Sequence, residues 1–201
     1  MFKVFKKKPE MKPEDIPTLE QIENEYERVK YKKRYRSVLA STVYALITVA
    51  AVAVLVATLL LPVLQIYGTS MTPCLTEGDI VVSVKGSNFN RGDIISFYYN
   101  NKILVKRVIA MEGEWVDITE EGVVLVNGEQ LDEPYLREKA FGDCDIKLPY
   151  QVPDGRVFVM GDHRSTSQDS RNTAIGCVTE EQIVGKIVYC VWPLKDFGKL
   201  E

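Results

Sequence analysis

A single histidine, no pair of cysteines in C-x-x-C spacing and forty consecutive residues without a charge between Arg36 and Glu77 are the first deficits of this 201-residue chain. One histidine excludes any zinc site that takes two. The four cysteines (Cys74, Cys144, Cys177, Cys190) are spaced too widely for a thiolate cluster, so neither a metal nor a cofactor is expected. Their spacing does not decide between disulfides and free thiols. A nucleophile elbow is also missing: Gly68 and Ser70 begin the pattern G-x-S-x-G, but Thr72 occupies the place of its second glycine, which excludes an α/β-hydrolase serine.

The uncharged stretch is itself informative. From Val38 to Leu61 it is almost wholly aliphatic, and as a helix it would run about 36 Å at 1.5 Å per residue, enough to cross a hydrocarbon core of roughly 30 Å. Thirty-seven residues precede it, too many for a cleavable leader, so it reads as a retained membrane anchor. Arg28, Lys30, Lys32, Lys33, Arg34 and Arg36 crowd its N-terminal flank, whereas no Lys or Arg follows it until Lys85. The basic flank stays in the cytoplasm and the remainder of the chain lies outside. Formal charge is +4 up to Tyr67 and −7 beyond it. The basic cluster adjoins the span and suits anionic phospholipid headgroups, so a nucleic-acid partner is not expected.

Three regions follow from this. Residues 1–37 are a cytoplasmic tail whose first 17 residues, with Lys6-Lys7-Lys8 and three prolines, are expected to be disordered. A polar helix follows from about Thr18 to Arg36, capped by Thr18 with Gln21 as its capping-box partner. Residues 38–62 are the single transmembrane anchor, with Pro62 at its outer end, and residues 63–201 are the extracytoplasmic domain. There the pattern changes to short β-branched and aromatic runs at Ile80–Val84, Asp93–Tyr99, Ile103–Ala110, Glu114–Thr119, Val123–Val126, Val157–Met160 and Val184–Trp192. Val63–Tyr67 is a further short extended run. Turn signals such as Glu77-Gly78-Asp79, Arg91-Gly92-Asp93 and Asn127-Gly128 separate the runs. The fold class is therefore mainly β, an antiparallel and partly closed barrel-like domain behind one N-terminal transmembrane helix. Residues 128–155 read as a small excursion from the sheet.

Ser70 lies just past the span, and a serine hydroxyl attacks only when a neighbouring base takes its proton. His163 beside Asp162 supplies the residue types of a Ser/His/Asp triad, but adjacent residues in an extended loop point to opposite sides, and an exposed loop histidine is the alternative. Lys106 alternates onto the same strand face as Leu104 and Val108, where apolar neighbours would lower its pKa from about 10.4 towards neutrality. A lysine that snorkels to water is the plainer alternative. Lys85 and Lys102 lie in turn-like settings. In Gly161–Arg171, Asp169 and Arg171 can pair to fix the loop, and Ser167 can orient a nearby amine.

Taken together, Ser70-Met71-Thr72-Pro73-Cys74-Leu75, then Gly92-Asp93-Ile94 with Val105-Lys106-Arg107-Val108-Ile109 and Gly113, then Gly161-Asp162-His163-Arg164 through Ser167, Asp169, Ser170 and Arg171 resemble bacterial type I signal peptidase, in its smaller, single-span form. The resemblance reaches from the anchor to Trp192-Pro193. It implies a membrane-bound serine endopeptidase that removes signal peptides from exported preproteins, with Ser70 as nucleophile and Lys106 as general base. By the same resemblance Ser167 would hydrogen-bond the Lys106 amine, and Asp162, Asp169 and Arg171 would hold the loop in shape. The Ser70 N–H would meet the oxyanion. Some members carry a hydroxyl two residues before the nucleophile, where this chain has Gly68, and Cys74 stands where threonine is usual. A preprotein segment would pair between Leu64–Gly68 and Ile103–Lys106, with Leu64, Ile66, Leu104 and Val105 lining shallow pockets for small residues at −1 and −3. The reading set against it is a non-catalytic, membrane-anchored chaperone or pilus-assembly factor on the same fold. A self-cleaving repressor would need a DNA-binding domain where this chain has its span.

Overall fold

The computed structural model describes residues 17–86 and 88–200, so the disorder expected of residues 1–16 lies outside the described residues. The chain forms two units, residues 1–54 and 55–201. Helix α1 runs unbroken over Leu19–Leu60, 42 residues or about 63 Å. Its start is the capping box read from the sequence: the Gln21 N–H donates to Thr18 Oγ1 at 3.4 Å, and the Thr18 N–H donates to Gln21 Oε1 at 3.0 Å. It stops two residues before Pro62, whose ring disfavours helical backbone in the residue ahead. The polar and apolar parts are one element, and the helix is long and apolar enough to cross a membrane.

Beyond the helix the strands are β1 (Val63–Gln65), β2 (Ile80–Val84), β3 (Ile94–Tyr99), β4 (Lys102–Ala110), β5 (Trp115–Ile118), β6 (Val124–Val126), β7 (Glu129–Gln130), β8 (Tyr150–Gln151), β9 (Arg156–Met160), β10 (Val178–Thr179), β11 (Ile183–Trp192) and β12 (Gly198–Lys199). The seven runs read as strands all occur, to within one residue at each end. Four two-residue strands had no readable signal, because two residues are too few to show an alternation. All pairings are antiparallel, and they form two sheets. The larger has the order β1-β2-β11-β3-β4-β9-β10, with β12 beside β11, and the smaller has the order β7-β6-β5-β8. Neither sheet closes on itself, so the domain is mainly β without a closed barrel. The larger sheet does curl: β1 and β4, with three strands between them, border one cleft. Both ends of the expected excursion are strands of the smaller sheet, β7 leaving it and β8 returning.

Three apolar clusters hold these layers. Ile109, Phe158 and Met160 of the larger sheet meet Val116, Ile118, Val124 and Val126 of the smaller one. Ile95, Phe97, Val108, Val157, Val159 and Val178 fill a second cluster. A third, with Ile66, Met71, Leu75, Val81, Ile94 and Ile187, lies under the serine. Ile94 and Ile95 go to different clusters because successive strand side chains point to opposite faces.

Candidate active site

Ser70 sits on a tight turn held from below. Met71 and Leu75 are buried in the third cluster, and the turn closes with Thr72 N–H to Thr69 O at 3.1 Å and Leu75 N–H to Met71 O at 2.9 Å. Burying two large apolar side chains is worth about 1.5–3 kcal/mol each, which fixes the turn while leaving Ser70 half-exposed. Gly68, two residues earlier, has φ +81°, a left-handed backbone that glycine adopts without a steric penalty.

Opposite the turn, β4 brings in Lys106. Its Nζ donates to Ser70 Oγ at 2.6 Å, and the residue is 3% exposed. Burial lowers the Lys106 pKa from 10.5 to about 8, partly offset by the Asp169 and Asp162 carboxylates and reinforced by the Arg171 guanidinium. The desolvation anticipated from strand alternation is therefore present, and the amine does not snorkel to water. An ammonium at this nitrogen donates to the serine oxygen; the neutral amine can instead take the serine proton.

The register of β4 explains why the loop after β9 arrives here. β9 pairs with β4 only from Arg107 onward, Arg107 facing Met160, so the loop starting at Gly161 leaves β9 beside Lys106. Asp169 ties that loop to itself: its Oδ2 accepts the Gly161 N–H at 2.9 Å, and its carboxylate accepts Arg171 Nε at 2.8 Å and Nη2 at 2.9 Å. Asp162 takes a bidentate pair from Arg107, at 3.0 and 2.8 Å. Gly161 is required by close approach, because a Cβ there would overlap Ser167 Oγ and lie 2.5 Å from the Ser70 carbonyl oxygen. The His163 N–H donates to that same carbonyl at 3.0 Å.

Several expectations change. Both Asp162 oxygens are committed to Arg107, and His163 Nδ1 meets Thr72 Oγ1 at 3.2 Å, so no His/Asp pair forms beside Ser70. His163 is half-buried rather than exposed. Ser167 Oγ is buried but has no hydrogen-bond partner among the described residues, so the bond to the Lys106 amine is not made; that amine donates to Ser70. Ile66, Leu104 and Val105 line the cleft with Ser70 and Lys106, whereas Leu64 packs against the third cluster instead. All four cysteines are free thiols; burial raises the pKa of each, Cys177 to about 11. Among the described residues, no group of three His, Cys, Asp or Glu side chains is arranged to hold a metal ion.

Sequence reasoning assigned no role to four participants. Arg164 pairs with Glu133, both side chains fully buried, and the ring of Tyr135 lies 3.9 Å from the Arg107 guanidinium carbon. Glu133 and Tyr135 come from the segment between β7 and β8, and no spacing rule says where such a segment folds back. Arg107 did carry a signal, since an arginine alternating into a strand interior demands a buried carboxylate.

The chain as a whole is similar to known proteins. Residues 39–192 match the family described as signal peptidase, peptidase S26. Signal peptidase I of Bacillus amyloliquefaciens is 33% identical over 181 residues, covering 85% of this chain and 97% of that protein. Signal peptidase I of Bacillus caldolyticus is 38% identical over 162 residues, 71% of this chain and 87% of that one. A crystal structure of a signal peptidase I from Enterococcus faecalis V583 aligns with a TM-score of 0.43 at 28% identity, over 50% of this chain and 97% of that chain.

Proposed function

Because the chain belongs to the signal peptidase family, peptidase S26, and is a serine endopeptidase that cleaves signal peptides, we propose that it does so with a Ser70/Lys106 dyad. The observation that carries this reading is the 2.6 Å contact between Lys106 Nζ and Ser70 Oγ, made by an amine held at a pKa of about 8. The neutral amine takes the Ser70 proton as Oγ adds to the scissile carbonyl. The resulting oxyanion is met by the Ser70 N–H, Gly68 having no side chain to add a second donor. Collapse expels the new N-terminus, which receives the proton from Lys106, and a water activated by the same amine releases the acyl group.

The substrate is a preprotein segment extended in the cleft between β1 and β4. Below Arg107, β4 has β3 on one side and, among the described residues, no strand on the other, so its backbone can pair with an added strand. Ile66, Leu104 and Val105 leave room beside Ser70 for small side chains, which suits small residues at −1 and −3. The apolar part of α1 anchors the enzyme in the membrane, its basic flank in the cytoplasm and Ser70 on the opposite side. Sharing a membrane with the signal helix raises the effective concentration of the scissile bond.

Full-length protein in lipid, incubated with a preprotein whose signal peptide ends in A-x-A, should yield a processed product. Ser70→Ala and Lys106→Ala should each abolish it with the fold intact, while His163→Ala keeps most activity. Activity surviving either of the first two changes ends the dyad assignment. No product from the unmodified chain favours the non-catalytic chaperone.

A further inference from the structure

The segment between β7 and β8 contains a carboxylate that an excursion from the sheet would not require. Glu133 is buried and pairs with Arg164, both side chains fully buried. Desolvating such a pair costs about as much as the attraction returns, so burial of the two charges is weak evidence of stabilisation. What the pair does fix is position. Arg164 also donates from Nε to the Gly161 carbonyl at 3.0 Å, and the Gly161 backbone abuts the Ser70 carbonyl. On its other side Glu133 accepts the Tyr135 hydroxyl at 3.0 Å. The Tyr135 ring stacks on Arg107, the residue after Lys106. One carboxylate thus reaches both halves of the dyad, the serine turn through Arg164 and the lysine strand through Tyr135 and Arg107.

We infer that Glu133 is a positioning residue that, through Arg164 and Tyr135, holds the Ser70 turn and the Lys106 strand at attack distance, which makes the segment between β7 and β8 part of the catalytic apparatus. The inference rests on the Ser70/Lys106 reading. The groups that act on Lys106 are the Ser70 hydroxyl, the Asp169 and Asp162 carboxylates and the Arg171 guanidinium; Glu133 is not among them. It acts by keeping the loop that carries those groups closed over the amine and water out. Loosening the loop lets water reach the ammonium form.

Glu133→Gln keeps the shape and a bond to Tyr135 but leaves the Arg164 charge unpaired. In the full-length enzyme in detergent, kcat should fall about 10- to 100-fold with KM within about threefold, since a displacement near 1 Å costs about that much. The acid limb of the kcat/KM profile should move to higher pH. Tyr135→Phe, which cuts one of the two arms, should show a smaller loss and a limb moved the same way, and Glu133→Asp should restore part of the rate. A wild-type kcat and limb in Glu133→Gln overturn the inference, as does a rate that falls only with the folded fraction while the limb stays in place. If Glu133→Gln does not fold, the limb of Tyr135→Phe decides alone: moved, it supports the inference, and unmoved, it overturns it. Lys106→Ala measured alongside keeps the two readings separate. An inactive Lys106→Ala with an unaffected Glu133→Gln rejects only the role of Glu133, whereas an active Lys106→Ala rejects the dyad.

Discussion

Replacing Lys106 by methionine should abolish cleavage and, at pH 7, make the folded protein more stable. The side chain is 3% exposed and its pKa falls from 10.5 to about 8, burial being the main cause. At 1.36 kcal/mol per unit, holding this lysine charged in the fold costs about 3 kcal/mol. Below about pH 8 the lysine is protonated in both folded and unfolded chains, so the whole cost is present. Between about pH 8 and 10.5 only the unfolded chain binds the proton, so stability rises with pH by that amount. The methionine variant has no such dependence, and its advantage should shrink by about 3 kcal/mol from pH 7 to above pH 10.5. Urea unfolding of full-length protein in detergent, followed through Trp115 and Trp192 at several pH values, measures the difference directly. The same ionisation sets the rate: kcat/KM should climb about tenfold per pH unit up to about pH 8 and level off above it. Wild type and Lys106→Met with parallel stability profiles would refute the claim that Lys106 is desolvated, and with it the account of how the amine becomes a base.

Two further outcomes test the support around the dyad. Asp162→Asn leaves the buried Arg107 without its bidentate carboxylate and should cost about 3–5 kcal/mol, roughly 6–20 °C in Tm for a chain of this size; the acid limb should move to lower pH, because Asp162 raises the Lys106 pKa. Gly161→Ala puts a methyl group against Ser167 Oγ and the Ser70 carbonyl, and preprotein cleavage assays should show kcat down by about 10²-fold with the secondary structure by circular dichroism unchanged.

Much of this is legible in the sequence itself. The strands β2, β3, β4, β9 and β11 are long enough for β-branched periodicity to stand out, and the alternation along β4 pointed Lys106 into apolar surroundings. The Thr18/Gln21 cap and the stop before Pro62 rest on chemistry within a few residues. Contacts between distant segments were not legible. Asp162 has an arginine two residues away at Arg164, yet pairs with Arg107, 55 residues earlier; Arg164 goes instead to Glu133. Local spacing does not relate these partners, because Arg107 is placed by β4 whereas Arg164 and Asp162 are placed by the loop after β9. The hydroxyl of Ser167 illustrates another limit, since whether it meets the Lys106 amine depends on how the loop after β9 sits against β4, which local spacing does not give.

The half of β4 below Arg107, paired with β3 on one edge and with no strand of the described residues on the other, has a cost outside catalysis. An open strand edge is a template for any extended chain, including another copy of the same protein. A protease that must leave a strand position vacant cannot cover it, so it has to discourage the wrong occupants. Here the vacancy is short, Lys102 stands exposed at its start, and the register slips between Val108 and Ala110 just past its end. Near neutral pH Lys106 adds a buried positive charge to the same few residues. Short length, lysines and an irregularity are the features by which sheet edges avoid aggregation. The amine proposed as the base would thus also help to keep the proposed substrate position from being taken by a neighbouring sheet.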